Sequence, residues 1–167
     1  MGTQAHKARG PRTVSLGILS ISTTRSLADD ASGLWIAKRA RKLGHTVVDH
    51  QVITDAVVPI RSFLLALLAK SPQAVLITGG TGISPRDVTI EAVQPLFVKR
   101  LSAFGTLFAQ LSFEEIDSAA IMSRAAAGII GSSVVFCMPG SLKACKLACN
   151  QLIFPELGHI VAHLTES

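Results

Sequence analysis

The residues best suited to chemistry lie in TGGTGISPRDVTIEA, which runs from Thr78 to Ala92. Three glycines (Gly79, Gly80 and Gly82) and two threonines close the apolar run AVLIT, and Asp87 stands seven residues beyond Gly80. Glycine reaches positive backbone dihedrals and lets main-chain N–H groups turn toward an anion. A helix beginning just beyond adds its partial positive charge. A second segment of this kind, Pro139-Gly140-Ser141, follows SVVFCM and leads into LKACKLA, with Lys143 just inside that helix. Two such loops can clamp a phosphorylated ligand, with Thr78, Thr81, Ser141 and Lys143 as further donors. Asp55, directly after TVVDHQVIT, brings a second carboxylate to the same edge. Mg²⁺ takes one or two carboxylates together with substrate phosphates and water, and it neutralises charge on a transferred phosphoryl group. The same residues also have purely structural uses. Asp87 can pair with Arg86 or cap the next helix, Thr89 can cap it instead, and Glu91 can be a favourable first-turn acid.

The familiar phosphate fingerprints are absent. Counted from Gly80, the dinucleotide pattern needs glycine at position 85, where Pro85 stands, and no P-loop GK followed by Ser or Thr appears. His159 and His163 in HIVAH lack the glutamate of the zinc-protease motif. Cys137, Cys145 and Cys149 are odd in number and form no small-domain framework, so they read as reduced, mostly buried thiols.

Short apolar runs over residues 14–21, 46–53, 74–78 and 133–138 read as strands, the third of the continuous kind found inside parallel sheets. Helices are expected over 34–43, closed by Gly44, and over 60–68, closed by Ser71-Pro72. A further helix should open near Val88 and run to Leu101 with a bend at Pro95. Residues 104–117 predict a helix with a turn around Ser112, 118–129 are helical by composition, 142–153 form a helix, and a last short one runs from Glu156 toward Leu164. Strands alternating with helices imply right-handed crossovers and a three-layer α/β/α domain with a mostly parallel sheet. Ligands bind such sheets beyond the carboxyl ends of the strands, where both loops fall.

At 167 residues, 49% hydrophobic and 16% charged, the chain suits one domain, over 13–167, behind a flexible basic tail over 1–12. That tail carries three bases and no acid, leaving the rest of the +5 chain near neutrality. Such a globule has no strong footprint for nucleic acid. No apolar stretch approaches the roughly 20 residues that span a bilayer, and a cytoplasmic protein is expected.

TGGTGISPRDVTIEA resembles the signature of the MogA/MoaB family of molybdenum-cofactor biosynthesis proteins, which includes the molybdopterin adenylyltransferases and related domains of gephyrin-like proteins. The resemblance takes in LSISTTRS, DDASG, ITD, FGTLFAQLSFEEI, SRAAAGI and MPGSLKACKLA, and so covers residues 14 to about 155. FEEI, MPGS and KAC point to the MoaB branch. What the resemblance implies is a homotrimer or homohexamer that uses ATP and Mg²⁺ to adenylylate molybdopterin, releasing pyrophosphate, and passes the product to a molybdate-insertion protein. Matched by motif, Asp55 and Asp87 fall on the family's acidic positions, Gly79, Gly80, Thr81 and Gly82 on its binding loop, and Pro139, Gly140 and Ser141 on its second loop. One departure stands out: Thr23 occupies a position after LSIS where the family commonly has Asp or Asn. Asp30 either keeps an acidic role nearby or caps the helix beginning near Gly33. The alternative implied by that departure is an oligomeric molybdopterin- or nucleotide-binding scaffold without efficient adenylyl transfer. FEEI likewise has two readings, Glu114 and Glu115 as extra site acids, or Phe113 and Ile116 as a subunit contact.

Overall fold

Three apolar runs, over 15–21, 74–78 and 133–138, become parallel strands covered on both faces, and a fourth, over 46–53, joins them as a half-exposed edge strand. The computed structural model describes residues 10–165. In it β1 (Ser15–Ile21), β2 (Thr46–Ile53), β3 (Ala74–Thr78), β4 (Lys99–Arg100), β5 (Ala126–Ile130) and β6 (Ser133–Met138) form one sheet in the order β2-β1-β3-β6-β5-β4. The neighbours β2-β1-β3-β6 are parallel, and β5 and β4 complete the sheet antiparallel. Residues 1–9 of the expected tail lie outside the described residues.

Side chains alternate strictly between two cores. Leu16, Ile18, Leu76, Val134, Phe136 and Met138 face one layer, built from α1 (Ala31–Lys42), α4 (Ser102–Ile116), α5 (Leu142–Ala148) and α6 (Phe154–Thr165). Leu19, Ile21, Val75, Ile77, Val135 and Cys137 face the other, built from α2 (Val57–Leu68) and α3 (Thr89–Val93). This two-sided burial is why the runs read as continuously apolar. All three cysteines are free and buried, and burial pushes the Cys137 thiol up to about 12, which makes it inert as a nucleophile.

Three expectations fail locally. The helix expected from Val88 to Leu101 shrinks to α3 and a 3₁₀ turn over Gln94–Leu96, then becomes β4. Pro95 supplies no donor to continue it. The expected turn at Ser112 is absent: α4 is unbroken, with Phe104, Phe108 and Ser112 on its buried stripe. The stretch expected to be helical over 118–129 is instead a 3₁₀ segment (Asp117–Met122) followed by β5. Gly131, at φ +58°, turns β5 back onto β6, and Gly128 lets Phe97 lie where a Cβ would come within 2.3 Å of its ring. Tertiary pairing thus overrides an alanine-rich composition. The helix expected over 142–153 passes through a π-helical segment (Cys149–Ile153) directly into α6. That widened turn precedes Pro155, where the α-helical ladder lacks a donor.

Candidate functional site

The loop over 79–88 leaves β3 at the carboxyl edge of the sheet and is built by its glycines. Gly79 (φ +96°) and Gly80 (φ +63°) both take left-handed conformations. A Cβ on Gly79 would meet the Ile21 carbonyl oxygen at 2.4 Å, and one on Gly80 would meet Thr89 Oγ1 at 2.3 Å and Asp55 Oδ1 at 3.0 Å. The Thr89 hydroxyl donates to the Gly79 carbonyl at 2.8 Å, and the Thr89 amide to the Gly80 carbonyl at 2.9 Å. Among the described residues, no side chain caps α3: Thr89 holds the loop instead. Asp87 accepts from the Ser84 amide at 2.9 Å and makes no ion pair with Arg86 among the described residues.

The second loop lies against the first. Gly140 approaches Gly79 so closely that a Cβ would stand 3.1 Å from the Gly79 Cα. Thr78 Oγ1 donates to the Pro139 carbonyl at 3.1 Å and touches Cys145 Sγ at 3.0 Å, so this threonine ties the loops together from behind. Ser32 of α1 donates to the Gly140 carbonyl at 2.9 Å, and Ser141 caps α5 by accepting from the Ala144 amide at 3.2 Å. Asp30 caps α1 through the Gly33 amide at 3.0 Å and meets His50 Nε2 at 2.7 Å. Burial works to raise the Asp30 carboxyl, but the His50 ring and the Gly33 amide hold it below its ordinary value.

Between the loops and α4 opens a cleft of about 270 Å³. Gly80, Thr81, Gly82, Asp87, Pro139, Gly140 and Ser141 line one side. Opposite stand Phe108, Ile116, Ala119 and Met122, with Ser112 and Ser123 among them. Four expected residues sit elsewhere. Thr78 and Gly79 lie behind the loops, and Lys143 turns away to Glu115, 3.1 Å from its Oε2. Asp55 stands behind Gly80, its Oδ1 buried and without a hydrogen-bond partner among the described residues. Burial raises the Asp55 carboxyl above its ordinary value, the Val88 amide opposes this, and the Asp87 charge adds to it.

An orphaned carboxylate oxygen beside a second carboxylate is a donor set that a hard divalent cation satisfies, with phosphates and water filling its other positions. Asp55 and Asp87 supply donors of this type, and among the described residues no cluster of three His, Cys, Asp or Glu joins them.

The fold and much of the sequence are shared with known proteins. Residues 17–159 match the family described as a probable molybdopterin binding domain. The chain belongs to this molybdenum cofactor biosynthesis family. It is 44% identical over 166 residues to the molybdenum cofactor biosynthesis protein B of Bacillus subtilis, covering 98% of each chain. The Escherichia coli protein of that name is 41% identical over 143 residues, 85% of this chain and 84% of its own. A crystal structure of a molybdenum cofactor biosynthesis protein B superposes with a TM-score of 0.89 at 44% identity, covering 93% of this chain and 98% of its own. The tungsten cofactor synthesizing protein MoaB of Pyrococcus furiosus gives 0.85 at 35% identity, covering 93% and 99%.

In this family member the sequence pattern concealed one central residue, Arg124. Its Nε donates to the Gly82 carbonyl at 2.9 Å and reaches that of Thr81 at 3.3 Å, while Nη2 donates to the Asp87 carbonyl at 2.9 Å. Glu91 pairs with the same guanidinium, which holds the Glu91 carboxyl below its ordinary value. Glu91 thus anchors the loop's clamp. The SRAAAGI motif contained Arg124, but its partners lie about forty residues earlier and only the folded chain joins them. Ser123 is likewise new: its Oγ is buried at the cleft without a partner among the described residues. For the adenylyl transfer proposed below, Arg124→Gln should lower turnover by about 10–100-fold through a loosened loop, with kcat falling more than KM rises in steady-state kinetics.

Proposed function

We propose that the protein acts in molybdenum cofactor biosynthesis by Mg²⁺-dependent adenylyl transfer from ATP to molybdopterin. The terminal phosphate of molybdopterin attacks the α-phosphate of ATP, the new P–O bond forms as the bond to the β-phosphate bridge breaks, and pyrophosphate leaves. The observation that carries this reading is the buried, unpartnered Asp55 Oδ1 next to Asp87 at a glycine-built loop. Asp55 and Asp87 hold Mg²⁺, which supplies neutralisation of charge on the reacting phosphates. The amides of the glycine loop receive phosphate oxygens, and Ser141 assists from the facing loop. Phe108, Ile116 and Met122 offer an apolar wall for a flat pterin ring, with the Ser123 hydroxyl as a polar contact. Positioning and charge neutralisation suffice for this chemistry. The test is adenylylated pterin, detected by mass spectrometry, from molybdopterin, ATP and Mg²⁺. No product beside an active control enzyme overturns the reading.

Asp55→Asn separates function from stability. A carboxyl with a raised folded-state pKa contributes stability below its unfolded value, and loses it as pH rises through the folded one. Asparagine stays neutral, so the variant should melt higher than wild type near pH 7 in chelator, with the gap closing below about pH 4. Turnover should nonetheless collapse. A lower melting temperature at neutral pH would show that Asp55 is structural.

We further infer that the protein works in the cytoplasm as a trimer or hexamer and hands its product to a molybdate-insertion protein. Among the described residues no helix is long and apolar enough to cross a membrane. Phe113, Ile116, Ile121 and Met122 are exposed apolar side chains, Ile121 being 88% exposed, and Ile116 and Met122 also line the cleft. Exposed apolar patches mark protein contacts. Ile121→Asp should therefore lower the mass measured by sedimentation, and an unchanged mass would place the contact elsewhere.

A further inference from the structure

A second concave site lies away from the cleft, between α1 and the α5–π segment. Its volume is about 420 Å³, and Trp35, Lys38, Arg39, Lys42, Lys146 and Asn150 line it. Trp35, Lys38, Arg39 and Lys42 recur at the spacing that puts side chains on one face of a helix, and Lys146 and Asn150 do the same opposite. Arg39 Nε donates to Asn150 Oδ1 at 3.1 Å. This bond fixes the guanidinium across the groove and leaves its two terminal nitrogens for another acceptor. Lys146 Nζ stands over the Trp35 ring, 5.9 Å from its centroid.

The four cations converge without a counter-charge. Among the described residues none of them pairs with a carboxylate, and no acid lines the groove. Lys38 and Lys42 are a like-charge pair one turn apart, an arrangement that destabilises a helix. The helix dipole accounts for Arg39 and Lys42 in the last turn of α1. It does not account for Lys38, nor for Lys146, since α5 runs on without a break through the π segment.

We propose that this groove binds a linear polyphosphate. From Trp35 to Lys42 the face extends about 10 Å at the helical rise, longer than one phosphate group, with cations spread along it. A protein partner would need an apolar core and far more area, whereas among the described residues Trp35 is the only apolar side chain lining this site. Inorganic polyphosphate and the triphosphate of a nucleotide share the required chemistry. The site is independent of whether the cleft transfers adenylyl groups.

Trp35 is the chain's only tryptophan and there is no tyrosine, so intrinsic fluorescence reports on this groove. The experiment titrates the full-length protein at low salt with sodium tripolyphosphate, following Trp35 emission and, on the same samples, heat of binding. ATP without Mg²⁺, AMP, sulfate and a polyglutamate peptide run in parallel, with Lys42→Glu and Lys146→Glu as variants. Both substitutions are on the surface and should leave the fold intact. Tripolyphosphate should bind saturably, about tenfold more weakly in either variant and more weakly in salt, while AMP and sulfate fail to compete. ATP binding with equal affinity and the same response to the variants identifies the nucleotide as the source, and much weaker ATP binding identifies inorganic polyphosphate. The proposal is overturned by absence of both heat and emission change, by binding that neither substitution weakens, by sulfate competing as well as tripolyphosphate, or by the peptide displacing tripolyphosphate at lower concentration.

Discussion

Asp87→Asn should leave a folded protein in which the proposed adenylyl transfer to molybdopterin runs about 10³-fold more slowly than in wild type. The substitution is close to a pure charge deletion. Asp87 Oδ2 accepts from the Ser84 amide at 2.9 Å, and the asparagine carbonyl oxygen can accept that bond in its place. The Arg124 clamp grips the main-chain carbonyl of residue 87, which the substitution does not touch. Loop shape should therefore persist while the carboxylate facing the cleft is lost. Asp87→Ala makes the contrast, because it removes the Ser84 bond as well. Both variants should be equally inactive, but only the alanine variant should melt lower. Product formation by mass spectrometry and a thermal melt read the two effects separately. Turnover by Asp87→Asn within tenfold of wild type would reduce Asp87 to a loop-building residue and leave Asp55 alone at the site.

The sequence made some of this legible and hid the rest for physical reasons. β1, β3 and β6 were readable because strands buried on both faces leave uninterrupted apolar runs, and their two cores take alternate side chains without exception at Leu16, Ile18, Leu19 and Ile21. β5 was hidden because Ala126 and Ala127 carry no strand signal of their own. Their conformation comes from pairing with Cys137 and Phe136 across the Gly131 turn. At the cleft, Gly80 and Gly82 could be placed from their position after a strand, since a tight turn there needs them. Lys143 could not be placed, because its direction depends on Glu115 from another helix. Arg124 was harder still: an arginine in an alanine-rich stretch reads as a solvated helix residue until the chain folds its guanidinium onto Thr81, Gly82 and Asp87. Thr23, expected from the resemblance to stand at a usually acidic or amide position, supplies no carboxylate at this edge of the sheet. The buried acid nearest it in the chain, Asp30, is committed to capping α1 and to His50, so it leaves Asp55 and Asp87 as the carboxylates bordering the glycine loop.

Gly80→Ala should damage both stability and turnover, and comparison with Gly131→Ala separates the causes. Both glycines adopt left-handed backbone, at φ +63° and +58°, so alanine at either meets a similar dihedral penalty of about 1–3 kcal/mol. Around Gly131 an added Cβ meets nothing within 4 Å, whereas at Gly80 it would lie 2.3 Å from Thr89 Oγ1 and 3.0 Å from Asp55 Oδ1. Relief of that clash requires the Thr89 hydroxyl to release the Gly79 carbonyl, or the loop to lift off Asp55. Either movement displaces the amides expected to receive phosphate, and a displacement of an ångström can cost about 10²-fold in rate. Gly131→Ala should thus melt lower by about 2–4 °C for each kcal/mol and keep wild-type turnover. Gly80→Ala should melt at least as low and turn over about 10²-fold more slowly. Equal turnover in the two variants would mean that the fit of the glycine loop over Asp55 serves the fold alone, and the case for Asp55 as a magnesium ligand would fall with it.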